Sequence, residues 1–147
     1  MGEATRNVPM LDATITKFQT LDTRATVQEA VRALLATSQT EFPVVDGAEH
    51  LRGVLTRDGI IRALAERGPD TPVIDVMERD VPVVNRRAPL SRAIETLQSG
   101  NVKLVGVVDD DGRIVGILTM ENLAEFMLVR QATESHMREK PAARHAA

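Results

Sequence analysis

The chain of 147 residues reads as an α+β protein made of two β-α-β-β-α units. Three observations predict this. The sequence aligns with itself without a gap at an offset of 63 residues, from Pro9 against Pro72 to Leu64 against Met127. Within each copy, helical and strand periodicities follow one another in the same order. Turn-forming residues separate them at matching places. Identical pairs include Asp12/Asp75, Ala30/Ala93, Leu34/Leu97, Val44/Val107, Val45/Val108, Asp46/Asp109, Gly53/Gly116, Leu55/Leu118 and Thr56/Thr119. Other pairs exchange one aliphatic for another, such as Val31/Ile94 and Leu51/Ile114. Two copies do not make a solenoid. They predict a pseudo-twofold pair in which each half covers the other's apolar face.

In chain order, "FQTL" and its counterpart "VPVV" are short extended segments. Val27, Ala30, Val31, Leu34 and Leu35 then fall at helical spacing, opened by a capping box of Thr26 and Glu29. Leu90, Ala93, Ile94 and Leu97 repeat the helix behind Pro89, which suits a first turn. "FPVVD" and "LRGVLT" form a hairpin around "GAEH"; "VGVVD" and "RIVGILT" form another around "DDGR". A second helix follows each threonine. The boundaries are a flexible N-terminus over 1–8, a repeat over 9–67, a linker over 68–71 and a repeat over 72–131. A helix extension and tail occupy 132–147, with "EKPAARHAA" expected to fray.

Only Phe18, Phe42 and Phe126 are aromatic while 43% of the chain is hydrophobic, so the core is aliphatic. A net charge of −3, with no basic run longer than Arg86–Arg87, argues against nucleic acid as a partner. Cysteine is absent, which excludes disulfides and thiolate metal sites. No stretch reaches the roughly 20 apolar residues of a membrane span, and "MGEATRNVPM" is no signal peptide. The expected location is the cytoplasm, or the cytosolic face of a membrane protein, without direct membrane insertion.

The paired units, with "PVVD" followed by glycine, an aliphatic, Leu and Thr, resemble a tandem cystathionine-β-synthase (CBS) domain pair, or Bateman module, over residues 8–131. The resemblance implies two three-stranded sheets packed face to face, helices outside the sheets, and two symmetry-related clefts. It implies a non-catalytic, small-molecule-sensing regulatory module for AMP, ADP, ATP or a related ligand, controlling an attached enzyme, channel or transporter. The alternative is a ligand-free dimerisation module. Pairs of this family commonly stack as homodimers through their outer helices, which here carry Ile60, Ile61, Leu64, Leu123, Phe126 and Met127. More narrowly, "LTRDGIIRALAERGPDTPVIDVM" and "GILTMENLAEFMLVRQA" are similar to the C-terminal regulatory module of site-2-protease-family zinc metalloproteases. His-Glu-x-x-His is absent, so a metalloprotease effector would lie outside this chain.

Thr56 and Thr119 stand where a strand hands over to a helix. Each is an N-cap, worth about 1 kcal/mol, and a place where first-turn amides can capture an anion. Both roles call on the same hydroxyl. In the family this threonine contacts phosphate, and an Asp three residues later holds the ribose hydroxyls. Here those positions are Gly59 and Asn122, and the carboxylates Asp58 and Glu121 stand one residue earlier. One cleft is expected to combine Thr14, Gln19 and Thr40 with Lys103, Thr119 and Asn122. The other combines Met77, Pro82 and Lys103 with Thr40, Thr56 and Gly59. The first is the better candidate, because Asn122 still offers a donor and an acceptor. Lys103 matches a position that is a basic phosphate contact in some members.

Gly106 replaces a proline kept at Pro43 and predicts a close approach or a bulge. His50, His136 and His145 have no partner spacing for a metal. Asp109–Asp110–Asp111–Gly112 reads as a turn. No nucleophile motif is present, so the chain is not expected to be an enzyme and needs no cofactor.

Overall fold

A computed structural model describes residues 8–100 and 103–146, with 138–146 as backbone only. Ten elements run β1 (Leu21–Asp22), α1 (Val27–Ala36), β2 (Glu41–Val45), β3 (Leu51–Thr56), α2 (Arg57–Arg67), β4 (Val83–Asn85), α3 (Leu90–Ser99), β5 (Leu104–Val108), β6 (Ile114–Thr119) and α4 (Met120–Ala146). Short 3-10 turns at Met10–Ala13 and Val73–Asp75 open the two repeats. The β-α-β-β-α order holds in both copies. Each makes a three-stranded sheet with its hairpin antiparallel and its first strand added in parallel.

The repetition extends to irregularities. Glu41 pairs with Thr56 as Leu104 pairs with Thr119, and the register slips between Val44 and Val45 as it does between Val107 and Val108. In both hairpins the strand-end aspartate folds the turn. Asp46 Oδ1 accepts the amides of Ala48 and His50 at 2.9 and 3.0 Å, and Asp109 Oδ1 those of Asp111 and Arg113, both at 2.9 Å. The turns differ at one position. Gly112 has φ +80°, whereas its counterpart Glu49 takes φ +65°, a left-handed conformation that costs a side chain roughly 1–2 kcal/mol.

Helices cover the outer faces of both sheets. Phe42, Val44, Leu55 and Ile60 form one core with Ala30 and Ala33 of α1; Val105, Val107, Leu118 and Leu123 form the other with Leu90, Ala93, Ile94 and Leu97 of α3. The inner faces meet across a small cluster of Val54, Leu104 and Ile117 with Ile15, Phe18, Val81 and Ile114. At the pseudo-twofold, His50 bridges Arg113, its own counterpart, and the Ile114 amide donates to the Glu49 carbonyl at 3.0 Å.

The two cores exchange their leading segments. Val8, Met10 and Ala13 are buried in the core of the second repeat, while Val73, Val76 and Met77 pack into that of the first. Behind them Ile15 forms a two-bond bridge with Ile117 of β6, at 2.8 and 3.0 Å; Glu78 does the same with Val54 of β3, both at 2.9 Å. Val8, placed by the sequence in a flexible N-terminus, is therefore core; residues 1–7 lie outside the described residues. Residues 68–71 are pinned to α1 by amides of Val27 and Gln28 donating to the carbonyls of Thr71 and Pro69. α4 is helical to Ala146, through the segment expected to fray.

Candidate functional site

The site grows from the two strand–threonine–helix junctions. The Thr56 Oγ1 accepts the Gly59 amide at 3.1 Å, and the Thr119 Oγ1 accepts the Asn122 amide at 3.1 Å. Both threonines are N-caps. A hydroxyl that accepts the cap bond still has its own proton to donate, so capping and ligand contact are compatible. The Arg57 amide donates to the Thr40 carbonyl at 2.8 Å, which leaves the Asp58 amide as a first-turn donor at the start of α2.

Both junctions open into one cleft of about 690 Å³ between the repeats. It gathers Thr40, Thr56, Gly59, Lys103 and Thr119, five of the residues expected from the sequence. Thr119 is only 6% exposed, at the cleft's base. The other five expected residues do not line it. Thr14 Oγ1 donates to the Met10 carbonyl at 2.7 Å and its methyl lies against Gly116. Met77 is laid against Gly53, with Sδ 2.6 Å from where a Cβ would sit. Pro82 contributes its carbonyl to the Gly106 amide at 3.0 Å. Gln19 lines a separate hollow with Ile15, Phe18 and Gln39, whose amide clamps its backbone at 2.8 Å on both sides. Asn122 is half-buried in the first turn of α4. At Gly106 the close approach comes from Leu51, whose Cδ2 would lie 2.6 Å from a Cβ.

Sequence reasoning missed Arg57, Arg62, Glu41 and Glu78, all of which line the cleft. A signal for them existed in the self-alignment. Arg57 faces Met120, Glu41 faces Leu104, Glu78 faces Ile15, and Arg62 faces Glu125. At Glu41, Arg62 and Glu78 only one copy lines the cleft and the counterpart differs in character, whereas Arg57 and Met120 both line it. The cleft carries four carboxylates (Glu41, Asp58, Glu78, Glu121) against three cations (Arg57, Arg62, Lys103). The Thr40 hydroxyl donates to Glu41 Oε2 at 2.7 Å and ties one of them to the wall. Such a lining suits a ligand rich in hydrogen-bonding groups and with little net charge better than a polyphosphate.

Among comparisons with known proteins, the CBS domain model matches residues 5–66 and 73–129. The chain belongs to the CBS domain family. The two matches follow the two sequence repeats, so each includes a leading segment that packs in the other repeat's core. The chain is 31% identical over 108 residues to inosine-5'-monophosphate dehydrogenase of Methanocaldococcus jannaschii, covering 73% of this chain and 21% of that enzyme. Its fold matches the CBS domain pair of protein MJ0100, solved in complex with 5'-methylthioadenosine and S-adenosyl-L-methionine, with a TM-score of 0.69 and 26% identity over 80% of this chain and 98% of that one. It also matches a CBS domain-containing protein of unknown function from Bacillus anthracis, with a TM-score of 0.74 and 20% identity over 86% of this chain and 97% of that one. No helix among the described residues is long and apolar enough to cross a membrane.

Proposed function

We propose that this CBS pair is a non-catalytic regulatory module that binds an adenosine derivative, AMP or an adenosyl-sulfonium compound being the nearest fits, in the cleft between its repeats. The observation that carries the reading is the convergence of both threonine-capped junctions on one cleft that also holds Lys103. The ligand would act by population shift, holding the repeats at one relative angle that an effector feels. The MJ0100 complexes support the ligand class. The dehydrogenase, of which the match spans 21%, supports attachment to an enzyme. The similarity to site-2-protease regulatory modules makes a membrane metalloprotease a second effector class, and the cytoplasm, or the cytosolic face of such a protein, the corresponding location. The working form is a homodimer.

Affinity for AMP is expected to be weak. A carboxylate gripping two ribose hydroxyls makes bonds of about 1.5–3 kcal/mol each, and neither Gly59 nor Asn122 supplies one. Calorimetry with AMP and S-adenosylmethionine tests the reading on wild type and on Gly59→Asp, which places a carboxylate at a position that lines the cleft. The variant is expected to bind AMP roughly 10- to 100-fold more tightly. If neither protein binds either compound, the ligand-free structural module replaces this reading.

A further inference from the structure

Each hairpin has two ends, and only one of them opens into the cleft. Glu41 pairs with Thr56, and Leu104 with Thr119, at the cleft end. The turns lie at the other end of β3 and β6, roughly 17 Å away for strands of 6 residues. Among the described residues, the hydrogen bonds that join one hairpin directly to the other all lie at these turns. The Ile114 amide donates to the Glu49 carbonyl at 3.0 Å, and His50 Nε2 stands 3.0 Å from the Asp111 carbonyl oxygen. A carbonyl only accepts, so Nε2 carries the proton. The leading segments also cross between repeats, but residues 16–20 and 79–82, which connect them to β1 and β4, carry no regular structure.

The side-chain clasp is built from one turn only. Arg113, the counterpart of His50, turns its guanidinium onto Asp109 and Asp111 of its own turn, at 3.3 and 3.1 Å. That pairing, with the Asp111 amide on Asp109 Oδ1 at 2.9 Å, fixes the carbonyl that His50 takes. Gly112 leaves the ring room, since a Cβ there would lie 3.4 Å from Nε2. On the other turn Glu49 holds φ +65° and aims its carbonyl at Ile114. Such a backbone persists where its surroundings over-determine it, and it gathers at clamps and switches.

Between the clasp and the cleft the inner faces meet across a small cluster around Val54, Leu104 and Ile117. Two hairpins pinned at one end keep one freedom, a change in the angle between them. A rotation of about 5° moves the far end by roughly 1.5 Å over that length. We propose that His50 is a positioning residue whose imidazole makes the turns a pivot, so that the clasp sets the resting width of the cleft. Its bearing on regulation rests on the ligand reading above; the pivot is a property of the free protein.

The chain has no cysteine, so Arg62→Cys on α2 and Glu125→Cys, its counterpart on α4, carry two nitroxide labels. Pulsed electron–electron resonance reads the distance between them, with labelled chains diluted in unlabelled protein so that only distances within one chain count. His50 is compared with His50→Leu, which keeps bulk without a donor, and His50→Gln, whose amide nitrogen reaches the place of Nε2. A single narrow distance is expected with His50 and with His50→Gln, and a broader distribution reaching longer distances with His50→Leu. Where His50→Leu does not fold, His50→Ala gives the same reading. An unchanged distribution without the donor overturns the proposal, as does one already broad with His50 in place. So does a His50→Gln distribution as broad as that of His50→Leu, which would assign the effect to the ring's packing. Calorimetry with AMP on the unlabelled protein keeps the two readings apart. A broadened distribution in a protein that binds no AMP leaves the pivot standing and removes the ligand.

Discussion

Asp46 and Asp109 show how one residue shapes its surroundings twice. Each ends a central strand and turns its carboxylate back onto the hairpin. The strongest pull on the Asp109 carboxyl is the Arg113 amide, and on Asp46 the His50 amide; burial opposes them, and the guanidinium of Arg113 or Arg52 adds to them. Both carboxyls are held below the usual carboxylate range. A carboxyl whose folded value is lowered contributes stability that is present above its unfolded value, about 3.9, and lost as pH falls through the folded value. Asp109→Asn is therefore expected to destabilise the protein at pH 7, with the deficit shrinking as pH falls below about 4. Urea denaturation at neutral and acid pH measures this. A deficit independent of pH would assign the effect to the turn's shape and not to its charge.

At the scale of elements, the exchanged leading segments explain the most persistent glycines of the repeat. A Cβ on Gly53 would lie 2.7 Å from the Glu78 carbonyl oxygen, and one on Gly116 would run into the Thr14 methyl with the Ile15 carbonyl oxygen at 3.0 Å. Backbone oxygens held by paired bridges cannot give way. Gly116→Ala is expected to cost about 1–3 kcal/mol, the usual range for overpacking, read as a lower urea midpoint. An unchanged midpoint would mean that the crossing segment is loosely held.

This exchange also marks where sequence reading stops. Periodicity and turn residues suffice for the helices and hairpins, because those are local, and Leu104–Val108 and Ile114–Thr119 fall where "VGVVD" and "RIVGILT" place them. Which core receives Met10 or Val73 depends on contacts between segments distant in sequence, such as Ile15 with Ile117 and Thr26 with Pro72. The same holds for the cleft. The capping threonines are local and legible; Glu78 reaches the cleft only because its segment crosses to β3. Thr14 and Met77 are drawn away from it because crossing turns them toward the glycines.

Taken as a whole, the molecule places its cleft and the groove between α1 and α2 back to back. Thr40 and Arg57 line both, and the Arg57 amide donating to the Thr40 carbonyl joins β2 to α2 along the wall between them. Arg57 therefore offers one side chain to both surfaces, and an anionic group in the cleft is expected to recruit it at the groove's expense. A ligand in the cleft and a second copy on the groove would then compete, and the competition would be reciprocal, because coupling free energy is the same read from either site. AMP is expected to weaken self-association, and its own affinity is expected to fall as protein concentration rises through the dimerisation range. Couplings of this kind commonly amount to about 5- to 150-fold. Sedimentation equilibrium with and without saturating AMP gives one side of the cycle, and calorimetry at low and high protein concentration the other. Arg57→Ala should bring the two dimerisation constants together while leaving the amide-to-Thr40 bond in place. If AMP binds wild type with an affinity independent of protein concentration, Arg57 belongs to the two surfaces without connecting them.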